Sequence, residues 1–137
     1  MNVLVDTNVW LDIFLVRAPF AQTSGRAVSL LDSPEHAIFA GSTTITTIFY
    51  LVEKSRGRST ARDKIRSLLD RCQIAPVDGG VLRSALDADF DDYEDSVLHS
   101  AAHAANLEAI VTRDTTGFDA AELRVYTPKE LISAVSQ

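Results

Sequence analysis

Short apolar runs alternate along the chain with longer segments whose apolar residues recur every three or four positions. The first pattern is typical of buried strands and the second of amphipathic helices. Strands are predicted over five segments, Asn2 to Val5, His36 to Ala40, Gln73 to Val77, Ala109 to Thr112 and Leu123 to Tyr126. Because a helical pattern follows each run, this order predicts a parallel sheet with helices on both faces.

The predicted helices fill the segments between and after these strands. They cover Val9 to Val16, Phe20 to Leu31, Thr44 to Ser55, Thr60 to Cys72, Asp78 to Leu86, Tyr93 to Asn106, and the chain from Pro128 onward. Thr7 or Asn8 is expected to cap the first helix and Asp78 the fifth. The whole pattern predicts one domain over residues 1–137, a three-layer α/β/α sandwich around a parallel sheet of about five strands.

The segment from Thr44 to Ser55 fits both kinds of pattern. Its threonine and isoleucine content favours a strand, whereas its length favours a helix. Ile48 and Val52 belong to an apolar series with helical spacing. We therefore predict a helix here.

Composition agrees with one domain in a reducing compartment. The chain has 137 residues, is 46% hydrophobic, and contains one cysteine, Cys72, which excludes an internal disulfide framework and a thiolate zinc cluster. The apolar N-terminus is interrupted by Asp6 and Asp12, lacks a basic leader and is shorter than the roughly 18 apolar residues of a membrane span. We expect a soluble, cytoplasmic protein with no membrane partner.

The charges of the chain are segregated. The net charge is −6, which opposes nucleic-acid binding by bulk electrostatics. However, seven of the 13 basic residues lie between Lys54 and Arg71, and six acids lie between Asp87 and Asp95. Any contact with a phosphate polymer is therefore expected to be local.

Carboxylates occur where a parallel sheet would gather them. Asp6 and Asp114 follow predicted strands, and another acidic group lies at a predicted helix start, comprising Asp91, Asp92, Glu94 and Asp95. Clustered carboxylates repel each other, and a hard cation such as Mg²⁺ or Mn²⁺ relieves that repulsion. Such an ion can activate water and stabilise charge on a phosphodiester. The alternative is that these acids are helix caps, each contributing about 0.3 to 1 kcal/mol.

Three segments resemble the acidic motifs of one family. They are Val5 to Asp12 (VDTNVWLD), Tyr93 to Leu98 (YEDSVL) followed by Ala101-Ala102, and Val111 to Asp114 (VTRD) followed by Phe118. In this order, and across nearly the whole chain, they resemble the PIN domains of VapC-type toxin ribonucleases.

The resemblance implies a PIN-like five-stranded parallel sheet and a metal-dependent endoribonuclease acting on single-stranded or structured RNA. It makes Asp6 and Asp95 the principal ligands of Mg²⁺ or Mn²⁺, with Asp114 a further ligand or an orienting group. Thr112 would position these acids through its hydroxyl, and Asn8 would brace the loop after the first strand. The resemblance also implies the toxin of a toxin–antitoxin pair, a small antitoxin partner and a homodimer.

One position departs from the family pattern. Where the family usually has a glutamate early in the third helix, this chain has Ile48, which cannot bind a metal. Glu53 lies five residues further on, about 140° around a helix, so it does not replace that glutamate directly. Glu94 or Asp92 could supply the missing charge. The alternative function is a catalytically silent module of the same fold that binds RNA or protein.

Several other groups have competing interpretations. The basic segment is either a solvated helix face or an RNA phosphate track formed by Lys54, Arg56, Arg58 and Arg62. His99 and His103 have the spacing of a zinc helix but lack an obvious third ligand, which favours core or surface histidines. Phosphoryl transfer through Asp6 is disfavoured, because Asn8 stands where haloacid-dehalogenase-like phosphatases need a second aspartate.

Overall fold

The computed structural model describes residues 1–136 and contains a five-stranded, wholly parallel sheet in the order β3-β2-β1-β4-β5. Its strands are β1 (Asn2–Val5), β2 (Ala37–Gly41), β3 (Gln73–Ala75), β4 (Ala109–Val111) and β5 (Arg124–Tyr126). The predicted fold class, a parallel sheet of about five strands between helices, is confirmed.

Seven α-helices lie within the described residues. They are α1 (Thr7–Phe14), α2 (Ala21–Leu31), α3 (Ser42–Arg56), α4 (Arg58–Arg71), α5 (Gly79–Asp87), α6 (Tyr93–Ala104) and α7 (Pro128–Val135). The ambiguous segment after Thr44 belongs to α3, so the helical interpretation is confirmed. Within residues 1–136, no helix is both long and apolar enough to cross a membrane.

β1 is the central strand of the sheet and contributes side chains to the apolar cores on both of its faces. Successive side chains of a strand point to opposite faces, so Val3 and Val5 enter one apolar cluster and Leu4 enters the other. The first cluster lies against helices that include α1, α2 and α3, and the second against α5 and α6. This burial on both faces fixes the position of the carboxyl end of β1, where Asp6 follows.

The start of α1 and the loop after β4 are among the features that differ from the sequence prediction. The cap of α1 is Asp6, and not Thr7 or Asn8, because Asp6 keeps an extended backbone while its side chain accepts a hydrogen bond from the Thr7 N–H. The helix consequently begins two residues earlier than expected. A short 3-10 helix, Thr115–Phe118, follows β4 and was not predicted from the sequence.

Candidate active site

Asp6 is held in one orientation at the centre of the sheet edge. Its side chain is only 5% exposed. Oδ1 accepts a hydrogen bond of 2.7 Å from the Thr7 N–H, and Oδ2 accepts one of 2.7 Å from the Thr112 hydroxyl. Each carboxylate oxygen therefore has a fixed donor, one from its own helix start and one from the neighbouring strand end.

Thr112 links Asp6 to the next acidic residue along the edge. The Thr112 Oγ1 that donates to Asp6 also accepts a hydrogen bond of 3.1 Å from the Asp114 N–H. Asn8 Oδ1 lies 3.4 Å from the N–H of Arg113, within the same loop. The loop after β4 is therefore tied to the start of α1 by side chains and not only by the sheet.

The 3-10 helix positions the exposed carboxylate of Asp114. Its Oδ1 accepts hydrogen bonds from the Thr116 hydroxyl at 2.7 Å and from the Gly117 N–H at 3.4 Å. A Cβ at Gly117 would lie 2.7 Å from Asp95 Oδ2 and 3.3 Å from Asp114 Oδ2. Gly117 thus lets two acidic side chains approach the same point, a role that sequence reasoning missed, although a glycine soon after a strand-end aspartate was available as a signal.

Asp95 lies in the first turn of α6, half-buried beside the other acids. The helix cap is Asp92, whose Oδ1 accepts a hydrogen bond of 3.0 Å from the Asp95 N–H. Burial raises the pKa of Asp95 to about 7, assisted by the negative charges of Asp6, Asp92, Asp114 and Glu94, in that order. Burial and the neighbouring negative charges therefore both favour the protonated form of Asp95.

The pKa of Asp6 is also raised. Burial is the main cause, and the charges of Glu94 and Asp114 act in the same direction. The hydrogen bonds from Thr112 and from the Thr7 backbone lower the pKa and oppose these effects. The charge of Asp6 in turn contributes to the raised pKa of Asp95.

The donor chemistry of this cluster fits a hard divalent cation. Asp6, Asp95 and Asp114 offer carboxylate oxygens, with Glu94 and Asp92 nearby as further negative charge. Within residues 1–136, no three His, Cys, Asp or Glu side chains stand close enough together to form a ready-made metal cage. Closing the cluster around an ion therefore requires side-chain rotation, which the exposed Asp114 and Glu94 permit.

Ile48 is a core residue. It is fully buried in the apolar cluster that also contains Val5 and Val9. One turn earlier on α3, Thr44 reaches the sheet edge, where its hydroxyl shares a 2.8 Å hydrogen bond with the hydroxyl of Thr7. The α3 contact with the start of α1 is therefore made by hydroxyl groups.

One residue of the basic segment, Arg56, contacts the end of α1 opposite to Asp6. Arg56 ends α3, and its Nη2 donates a 2.9 Å hydrogen bond to the carbonyl of Leu15, which caps the C-terminus of α1. Asp6 caps the opposite end of this eight-residue helix, about 12 Å away along its axis. Lys54, Arg58 and Arg62 are exposed.

The two histidines of α6 form no zinc site within the described residues. His99 is buried, and its Nε2 accepts a 3.0 Å hydrogen bond from the Glu122 N–H. His103 is exposed and lies 3.6 Å from a carboxylate oxygen of Glu122. The Nε2 atom of His99 is therefore paired with a backbone N–H, which favours the interpretation of His99 as a core histidine.

Comparison with known proteins finds a matching family and a relative of similar length. Residues 2–116 match the profile of a family described as PIN domain. Ribonuclease VapC1 of Aquifex aeolicus (strain VF5) is 26% identical over 134 residues, covering 94% of this chain and 92% of that protein.

Two solved structures share the fold. VapBC2 from Rickettsia felis, bound to a DNA fragment from the promoter, has a TM-score of 0.74 and 17% identity, covering 93% of this chain and 98% of that chain. The sarcin-ricin-loop-cleaving toxin VapC20 of Mycobacterium tuberculosis has a TM-score of 0.68 and 13% identity, covering 89% of this chain and 98% of that chain.

Proposed function

The chain belongs to the PIN domain family, and from that premise we propose that it is a divalent-metal-dependent endoribonuclease. The observation that carries the proposal is the convergence of Asp6, Asp95 and Asp114 on one edge of the sheet. Thr112 bonds both the Asp6 carboxylate and the Asp114 N–H, and Asp95 Oδ2 and Asp114 Oδ2 both lie beside Gly117. The similarity to Ribonuclease VapC1 supports RNA as the substrate.

Each proposed ligand has a distinct support. Asp6 is fixed by Thr112 and by the Thr7 N–H, whereas Asp114 is oriented by Thr116 and Gly117. Asp95 approaches Asp114 across the space that Gly117 leaves free. A bound Mg²⁺ or Mn²⁺ would supply a water of lowered pKa and positive charge against the scissile phosphate. Glu94 would add negative charge to the ligand set.

We further propose that the protein is the toxin of a toxin–antitoxin pair and acts as a homodimer. The fold shared with VapBC2 of Rickettsia felis supports the antitoxin partner. Leu82 and Leu86 are exposed one turn apart on α5, with Tyr93 beside them, which supports an apolar subunit or partner contact. Light scattering of the purified protein would establish its oligomeric state.

The basic segment is a proposed secondary contact for RNA. RNA that reaches both Asp6 and Arg56 would extend along α1, because these residues lie at opposite ends of that helix. Such a contact gives affinity without sequence choice, and it weakens as the salt concentration rises.

The proposed activity is tested with a mixed-sequence RNA in Mn²⁺, Mg²⁺ or EDTA. Asp6→Asn, purified identically, controls for contaminating nucleases. Cleavage by the wild type alone, and only with metal, supports the proposal. Cleavage that persists in EDTA, or equally in Asp6→Asn, contradicts it.

A second candidate function is a catalytically silent module that binds RNA or protein. The burial of Ile48 in the core favours it, because α3 then contributes no acid to the cluster. Calorimetric titration with Mn²⁺ separates the two candidates. Absence of binding heat together with retained RNA affinity would favour the silent module.

A further inference from the structure

An ion pair between a buried carboxylate and a partly exposed guanidinium lies next to the candidate active site. Asp12 lies on α1 and is 0% exposed. Arg113 donates from Nε to Asp12 Oδ2 and, at 3.2 Å, from Nη2 to Asp12 Oδ1. The planar guanidinium therefore binds both carboxylate oxygens, and this bidentate contact fixes the orientation of the Arg113 side chain as well as its position.

Other groups complete the surroundings of this pair. The Ser24 hydroxyl lies 3.5 Å from Asp12 Oδ2, and Arg17 Nη1 lies 3.9 Å from Oδ1. The ring of Phe20 packs against the Arg113 guanidinium, with 4.0 Å between the guanidinium carbon and the ring centroid. The Arg113 side chain is thus held by Asp12 of α1 and by Phe20 at the start of α2.

Arg113 is the residue between Thr112 and Asp114. Its backbone N–H points to Asn8 Oδ1, its side chain binds Asp12, and the preceding Thr112 donates to Asp6. Three consecutive attachments therefore join the loop after β4 to α1. Asp114 is the next residue of that loop, and its N–H is bonded to Thr112.

A contribution to folding alone is a weak explanation for this pair. Removing the Asp12 charge fully and the Arg113 charge largely from water costs free energy that their attraction offsets only partly. Apolar residues of similar size therefore often stabilise a fold equally well. An ion pair of this kind also fixes geometry, because the planar guanidinium donates two parallel hydrogen bonds to a carboxylate in only a few orientations. In this protein the ion pair fixes the position of Arg113, and Asp114 is the next residue of the same backbone.

We propose that Asp12 and Arg113 are positioning residues that hold Asp114 in place for the metal ion. The inference rests on the proposed metal-dependent function and deepens it by adding two residues to the site. Neither residue touches the metal. Both act through the loop of residues 112–114.

The test compares Mn²⁺ affinity, measured by calorimetry, with the melting temperature of the same samples. Asp12→Asn preserves the shape of the side chain and removes its charge, whereas Arg113→Lys keeps the charge and removes the fork. Each is expected to weaken Mn²⁺ binding about tenfold, as loss of an orienting partner typically does. Asp32→Asn, which breaks the exposed ion pair with Arg71, is the matched control and should leave the affinity unchanged.

A double-mutant cycle separates positioning from general stability. If Asp12 acts through Asp114, Asp12→Asn will weaken Mn²⁺ binding much less in an Asp114→Asn background than in the wild type. Equal losses in both backgrounds would overturn the proposal. So would a lowered melting temperature with unchanged Mn²⁺ affinity.

Three further outcomes are distinguishable. If Asp12→Asn does not fold, Arg113→Lys decides the question by the same measurements, because it retains a positive partner for the buried carboxylate. If the wild type binds Mn²⁺ and cleaves RNA while Arg113→Lys binds Mn²⁺ equally well, only the positioning role fails. If the wild type binds no Mn²⁺, the proposed function fails and this inference fails with it.

Discussion

Thr112 donates a 2.7 Å hydrogen bond to Asp6 across 106 residues of sequence, and both side chains are buried. The bond joins the ends of β4 and β1, which are neighbours in the sheet. It favours the charged form of Asp6, because a hydroxyl donor stabilises a carboxylate. The sheet thus supplies the acid together with the group that orients it.

Replacing Thr112 by valine is expected to destabilise the fold and further raise the pKa of Asp6. The variant keeps the side-chain shape but leaves one buried oxygen of Asp6 without its donor, which costs about 1 to 3 kcal/mol. Urea denaturation measures the loss. Thr112→Ser retains the donor and should lose much less, while the exposed Thr46→Val serves as a control; equal losses in Thr112→Val and Thr46→Val would contradict the prediction.

Gly117→Ala is expected to impair the site more than the fold. The new Cβ would lie 2.7 Å from Asp95 Oδ2, so at least one carboxylate must move away. We expect Mn²⁺ affinity and RNA cleavage to fall at least about tenfold, as when a metal site loses its supporting geometry. Gly25→Ala is the matched control, since nothing lies within 4 Å of its added Cβ. If Gly117→Ala cleaves RNA as fast as Gly25→Ala does, the close approach is unimportant.

The sequence was informative where periodicity and strand order decide the structure. Asp6 and Asp114 could be expected at one sheet edge, because parallel strands present their carboxyl ends together. Helix α3 was recognised by the spacing of Ile48 and Val52 despite its threonines. The first inference used the order of the strands, and the second used residues close together in the chain.

The rest depended on contacts between distant segments. Nothing local to Arg113 indicates that its partner is Asp12, and nothing local to Gly117 indicates that Asp95 approaches it. The basic segment illustrates the reverse, because its residues cluster in sequence but Arg56 reaches the far end of α1 from Asp6. Packing of helices on the sheet, which periodicity does not specify, determines all three.

Ile48→Glu tests whether this position faces the core or the carboxylates. The structure buries Ile48 completely among apolar side chains, so a charged glutamate there should destabilise the protein by about 3 kcal/mol or more. Thermal melting with and without Mn²⁺ measures the effect, with Ile48→Val as the size control. Recovery of the melting temperature by Mn²⁺ would show instead that the position can supply a ligand.

His99 should make the protein sensitive to mild acid. Burial lowers the pKa of His99, and the charge of His103 acts in the same direction, while Glu122 opposes both. Below about pH 6.5, His99 therefore binds a proton more readily in the unfolded chain than in the folded protein. The contribution of His99 to the free energy of unfolding falls as the pH falls through this region. His99→Gln should flatten this dependence in urea titrations. The exposed His103→Gln should retain it, and a pH dependence in His99→Gln equal to that of the wild type would refute the assignment.

Asp95 should give the opposite dependence on pH in EDTA. Its folded-state pKa of about 7 lies above the ordinary value of about 4, so between these values the folded protein keeps a proton that the unfolded chain has released. The free energy of unfolding therefore falls as the pH rises through this window, and Asp95→Asn should remove that slope. At pH 8 the variant should be more stable than the wild type by about 1 kcal/mol, allowing for solvent screening of a half-exposed group.

Saturating Mn²⁺ should reverse the order of these two proteins. A cation bound to the cluster compensates the repulsion that destabilises the wild type and adds binding free energy to the folded state. Asp95→Asn has one ligand fewer, so its melting temperature should rise less with Mn²⁺ than that of the wild type. Ser100→Ala, on the same helix, is the control and should behave as the wild type does. Equal Mn²⁺-induced shifts in the wild type and Asp95→Asn would exclude Asp95 from the metal site even if the protein cleaves RNA.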